Sequence, residues 1–108
     1  MARYLQEFEL TPQAFASFVA NPGDRGQANR AVVESVGGKL VEYYFGVGTN
    51  KIYLIAEYPN EVAFEALAMS VLASGIITSA KTVAILTSAE AVEAMKMAGS
   101  AGYRPPAG

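Results

Sequence analysis

Four residues on two neighbouring segments carry the most promising chemistry in this chain: Glu42 and Tyr44 on one, Tyr53 and Glu57 on the other. Paired carboxylates can share a proton or bind a hard cation. Either could act as a general base if burial beside the tyrosines raised its pKa. Tyrosine rings stack on a flat ligand while their hydroxyls hydrogen-bond a phenolic or quinone-like group. Plainer readings stand beside these. Glutamates at the rim of a sheet are solvated or paired with Lys39, Lys51 or Lys81, and tyrosines are enriched at interfaces. Glu42 and Glu57 are thus the candidate catalytic residues, and Tyr44, Tyr53 and Gln6 the candidate ligand contacts.

Composition removes several other chemistries. The chain has no cysteine, histidine or tryptophan. Disulfides and thiolate nucleophiles are excluded. Ser70, Ser74 and Ser88 have no histidine to activate them. A zinc site would rest on carboxylates alone, so no metal and no cofactor is expected. The net charge is −2 and the eight basic residues are scattered, which argues against nucleic acid as a partner. The first residues, MARYLQEFEL, carry charge where a signal peptide needs an apolar core. No run of about 18 apolar residues is present, so no membrane partner is expected and the cytoplasm is the default compartment.

The elements that must position the candidates follow from periodicity and punctuation. Arg3 to Leu10 alternates as a strand does. Thr11-Pro12 caps and opens a helix through Phe15, Phe18 and Val19, and Asn21-Pro22-Gly23 interrupts it. Helix resumes near Asp24, with Ala28, Ala31, Val32 and Val36 at helical spacing, until Gly37-Gly38. Strands are expected over 39–47 and 51–58, then a helix capped by Asn60 through Phe64, Leu67, Ala68, Val71 and Leu72 up to Gly75. A β-branched strand over 76–86 and a last helix from Ser88 to about Ala98 complete the order. Residues 1–98 then form one domain, and 99–108 a flexible Gly/Pro-rich tail.

This order, βαββαβ plus a C-terminal helix, fits an α+β, ferredoxin-like fold: a four-stranded antiparallel sheet with helices on one face. Pairing Val47 with Ile52, Phe45 with Leu54 and Tyr43 with Ala56 makes one hairpin face almost wholly apolar, suited to lie under the helices. The other face holds Glu42, Tyr44, Tyr53, Ile55 and Glu57. The first strand adds to it either Tyr4, Gln6 and Phe8 or Leu5 and Glu7. The last strand adds either the set Thr78, Ala80, Thr82 and Ala84 or the set Ser79, Lys81, Val83 and Ile85. A bare apolar face of this kind exceeds what a soluble monomer usually exposes. A second copy laid sheet to sheet would cover it, so the chain is expected to be its own partner, as a homodimer or larger.

Several short motifs in order also carry a family resemblance. Gly37-Gly38-Lys39-Leu40, Glu42-x-Tyr44, a turn centred on Gly48 and Glu57-Tyr58-Pro59-Asn60 resemble the GYD-domain family. Thr11-Pro12-Gln13-Ala14, Asn21-Pro22 and Arg25 sit where that family has a threonine-led helix and a proline break. The family is named for a Gly-Tyr-Asp segment, and the matching place here reads Gly48-Thr49-Asn50-Lys51. The resemblance implies a ferredoxin-like subunit assembled as a dimeric α+β barrel and leaves the biochemical role open.

Three functions compete at this point. One is a small homo-oligomeric protein holding a hydrophobic or phenolic metabolite between sheets. Another is a cofactor-independent enzyme of the monooxygenase or isomerase kind, with Glu42 or Glu57 as base. The last is an assembly or regulatory module without catalysis. The loop Asn21-Pro22-Gly23-Asp24-Arg25-Gly26 could cradle an anion with Arg25 and Arg30, although its simpler reading is a helix break.

Overall fold

Polar side chains at four junctions start the helices. Thr11 Oγ1 accepts from the Ala14 N–H at 3.3 Å, Asp24 from Gln27 at 3.0 Å and Asn60 from Ala63 at 2.9 Å. Thr87 and Glu90 form a reciprocal capping box, each side chain bonded to the other's backbone N–H at 3.1 and 2.9 Å. The last helix therefore takes its cap from Thr87, one residue before Ser88, because only Thr87 stands three residues from a glutamate.

The computed structural model describes residues 1–107; Gly108, the end of the expected tail, lies outside them. The order is β1 (Ala2–Leu10), α1 (Pro12–Ala20), α2 (Arg25–Ser35), β2 (Lys39–Phe45), β3 (Lys51–Tyr58), α3 (Glu61–Ala73), β4 (Ile77–Ile85) and α4 (Ser88–Ser100). The strands form one sheet in the order β2-β3-β1-β4, every neighbouring pair antiparallel. This is the α+β, ferredoxin-like arrangement that the element order implies. Among the described residues, no helix is long and apolar enough to cross a membrane.

One face of the sheet makes the core. Phe8 and Leu10 of β1, Leu40 of β2, and Ile52, Leu54, Ala56 and Tyr58 of β3 pack with Ala14, Val33 and Leu67 from the first three helices. An aromatic trio locks one end. Phe64 lies 4.7 Å from Tyr4 and 5.3 Å from Tyr58, the latter edge-on at 87°. Offset and edge-to-face pairs such as these add to the burial of the rings themselves. Helix α4 buries no residue. The radius of gyration is 17.7 Å, against about 13 Å for a compact chain near this length.

The hairpin register differs from the expected one by two residues. Phe45 faces Ile52 and Tyr43 faces Leu54, and the ladder shifts between Leu40 and Glu42. The bulge at Val41 absorbs one residue. Val47, expected to end a strand, lies in the turn and is 99% exposed. From Glu42 to Phe45 the face assignments survive, because a two-residue slip preserves side-chain alternation; before the bulge the alternation inverts and Leu40 enters the core.

Two glycines terminate α2 for separate reasons. Gly37 has φ +81°, the left-handed conformation that ends helices. Gly38 sits where the chain passes under β3. A Cβ there would lie 2.7 Å from the Glu57 carbonyl oxygen and 2.9 Å from Val33 Cγ1. Backbone cannot yield as a side chain can, so Gly38→Ala should cost at least about 1–3 kcal/mol. That corresponds to a melting point lower by roughly 4–8 °C per kcal/mol, readable by thermal denaturation.

Candidate functional site

The open side of the sheet holds most of the candidates. Tyr44 stands directly opposite Tyr53, and Glu42 opposite Ile55. The register of β1 and β4 adds Leu5, Glu7, Lys81 and Val83 to this side, where Leu5 joins Ile55 to Val83 in a row across the sheet. A shallow depression of about 240 Å³ lies among Leu5, Glu7, Tyr53, Lys81 and Val83.

The ladder does not set the two glutamates opposite each other. Glu42 is exposed and accepts a hydrogen bond from the Tyr44 hydroxyl at 2.8 Å. The same carboxylate pushes the Tyr44 phenol up, first through that bond and then through its charge. Glu57 faces Lys39 rather than Glu42 across the ladder. Its carboxylate binds Arg3, with Nη2 at 2.9 Å and Nε at 3.1 Å. One carboxylate is therefore wet and the other is held in an ion pair.

Gln6 lies on the opposite face from Tyr44 and Tyr53. It is 2% exposed, and its Oε1 accepts from the Tyr58 hydroxyl at 3.0 Å. The alternation of β1 sends Gln6 inward with Phe8 and Leu10 and leaves Leu5 and Glu7 outward. A buried amide costs free energy unless it is bonded, and Tyr58 supplies the bond.

Gln6 borders a second hollow, a cavity of about 180 Å³ between the helix layer and the sheet. Its apolar wall includes Phe8, Phe18, Ile52, Leu54, Leu67 and Val71. Its polar wall is Gln6 from β1, Arg25 and Asn29 from α2, Tyr43 from β2, and Ser70 and Ser74 at the end of α3. An engineered apolar cavity of comparable size admits a benzene ring.

Local chemistry sets this wall. Arg25 and Asn29 are four residues apart and share one face of α2. The Asn29 amide donates to the Arg25 carbonyl at 2.8 Å. The Arg25 guanidinium carbon sits 5.1 Å from the centre of the Phe18 ring. Gly26 lies beside Tyr43, where an added Cβ would make an ordinary contact with Tyr43 Cβ at 3.6 Å. Burial pushes the Tyr43 phenol up, and the Arg25 charge pulls part of that back. Arg25 was legible as a possible anion ligand, whereas Asn29, Tyr43, Ser70 and Ser74 were not marked as site residues. The four-residue spacing of Arg25 and Asn29 was the available signal. Arg30, expected to work with Arg25, is exposed and does not border this cavity.

Comparison with known proteins decides the family. The model for the GYD domain matches residues 4–95. The chain belongs to the GYD-domain family. None of the curated proteins compared matches it. Among solved structures, this GYD domain is similar to protein Atu4242 from Agrobacterium tumefaciens at 16% identity and a TM-score of 0.52, covering 82% of this chain and 94% of that one. It is also similar to Rv0793 from Mycobacterium tuberculosis at 15% identity and a TM-score of 0.51, covering 82% and 97%. These likenesses concern the fold.

In this GYD domain the segment that replaces the naming motif is structural. Thr49 Oγ1 donates to the Gly46 carbonyl at 2.9 Å and accepts from Lys51 N–H at 3.1 Å. The Asn50 carbonyl accepts from Leu10 N–H at 2.8 Å. The turn is thereby fastened to the end of β1.

Proposed function

We propose that this GYD domain is a homo-oligomeric small-molecule carrier or receptor, and that its ligand is a hydrophobic metabolite of about one ring. The observation that carries this reading is the 180 Å³ cavity, whose apolar wall is broken by polar groups from four elements. Ligand sites combine an apolar lining with a few convergent polar groups in this way. The cleft takes precedence over the depression beside Tyr53 because helices and sheet both enclose it, whereas the depression is shallow in the subunit. A second copy laid over the open face would shield Leu5, Val83 and the tyrosine pair, and would leave the cleft of each subunit intact.

Binding is favoured over turnover by the groups that border the cleft. They are an amide, a guanidinium, a second amide, a phenol and two hydroxyls. The phenol, raised by burial, keeps its proton near neutral pH. Glu42 and Glu57 lie on the other side of the sheet, one wet and one neutralised by Arg3.

The test is a titration of the purified protein with phenylpropanol, cyclohexylpropanol and indolylpropanol, followed by amide chemical shifts. At least one should bind saturably and perturb residues of α2, β3 and α3. Val71→Phe, which fills the half-buried wall, should weaken that binding tenfold or more while the circular dichroism spectrum is kept. Absence of binding by all three, or equal binding by the filled variant, would refute the cleft.

A further inference from the structure

Arg25 is a charge without a partner in the cavity wall. Its Nε is shut off from solvent and has no hydrogen bond among the described residues. Neither of the ion pairs among those residues includes it. The neighbouring carboxylate, Asp24, is occupied in capping Gln27 N–H at 3.0 Å. Burying a guanidinium donor without an acceptor is costly, and proteins keep such groups where something external completes them. The Phe18 ring 5.1 Å away holds the guanidinium in place by a cation–π contact and offers no acceptor lone pair to Nε.

We infer that Arg25 receives the carboxylate of the ligand, so that the cleft selects small hydrophobic acids over neutral molecules of the same shape. This rests on the reading of the cleft as a binding site and adds the class of molecule it takes. Leu54, Leu67 and Val71 supply lining for an apolar body, and Arg25 and Asn29 supply polar groups for a head. A guanidinium is suited to this role, because its planar fork matches a carboxylate and stays charged at every physiological pH. The partial burial of Arg25 weakens screening by salt. A charge-assisted bond to the guanidinium should make the acid about tenfold to a hundredfold tighter than its alcohol.

The experiment compares phenylpropanoate, cyclohexylpropanoate and indolylpropanoate with the three matching alcohols by calorimetry, on wild type, Arg25→Met and Val71→Phe. Arg25→Met keeps the length and apolar stem of the side chain and removes its charge. In wild type, each acid whose alcohol binds should bind at least tenfold tighter than that alcohol. In Arg25→Met the preference should shrink to within about threefold, with the alcohol affinity little changed. Val71→Phe should weaken acid and alcohol alike. Equal binding of acid and alcohol by wild type overturns the role of Arg25 and leaves the cleft standing. A preference that persists in Arg25→Met does the same. Failure of all three alcohols to bind wild type overturns the cleft itself and the inference with it.

Discussion

Leu5→Asp should leave the GYD subunit folded and convert the proposed sheet-to-sheet dimer into monomers at micromolar concentration. Leu5 sits on central strand β1, between Ile55 of β3 and Val83 of β4. It is 37% exposed in the subunit, so the change removes little from the core. Strand propensity costs about 1 kcal/mol at most for such a substitution. The interface would pay far more. A two-fold axis brings the same patch of each subunit together, so a charge near its centre approaches its own copy. A carboxylate buried without a partner costs about 3–5 kcal/mol, which is two to four decades in the dissociation constant. Light scattering after size exclusion should report double the 11.4 kDa chain mass for wild type or a multiple of it, and the single chain mass for Leu5→Asp. A wild-type chain that runs as a monomer, or a Leu5→Asp variant that keeps the oligomer mass, would sink the assembly.

The face that this test attacks was only half legible in the sequence. Tyr44, Tyr53, Ile55 and Glu57 could be placed on it from strand alternation alone. Leu5 and Val83 could not, because their alternates Gln6 and Ala84 alternate equally well. The choice is made by the helix layer, which buries Phe8 and Leu10 and so turns Leu5 outward. The bulge at Val41 was invisible for a related reason: it depends on how β2 meets β3.

The cleft shows the same division between local and long-range information. Helix caps at Thr11 and Asn60 are read from side chains within three residues of their targets, and both were legible. The cavity wall joins Gln6, Arg25, Tyr43 and Ser70, which are far apart in the chain. Nothing local says that α2 will pack beside Tyr43, or that Gln6 will satisfy Tyr58. Gln6 was marked as a site residue with the open-face tyrosines, and the fold separates it from them by the thickness of the sheet.

Tyr58→Ala should unfold most of the population at physiological temperature, whereas Tyr58→Phe should remain folded with a distinctive response to alkali. Tyr58 is fully buried at the end of β3 and bonds Gln6, which is itself buried. Truncating a core aromatic ring costs about 3–5 kcal/mol. Orphaning the Gln6 carbonyl adds about 1–3 kcal/mol. Their sum rivals the whole stability of an ordinary domain, roughly 5–15 kcal/mol. Tyr58→Phe keeps the ring against Phe64 and loses only the hydroxyl, so about 1–3 kcal/mol is expected.

The alkaline response isolates the hydroxyl. Burial pushes the Tyr58 phenol up to about 12 from its ordinary 10.0. Below pH 10 both folded and unfolded chains keep this proton, and the contribution is complete. Above it the unfolded chain loses the proton while the folded chain holds it, so stability falls as pH rises from 10 towards 12. One such proton is worth at most about 1.4 kcal/mol per pH unit in that window. The buried phenol of Tyr43 is raised as well and titrates in both proteins. Urea midpoints at about pH 9 and about pH 11.5 should therefore fall less in Tyr58→Phe than in wild type. Equal losses in the two proteins would mean that the Tyr58 hydroxyl meets solvent, and that Gln6 is held in the cleft wall by some other bond.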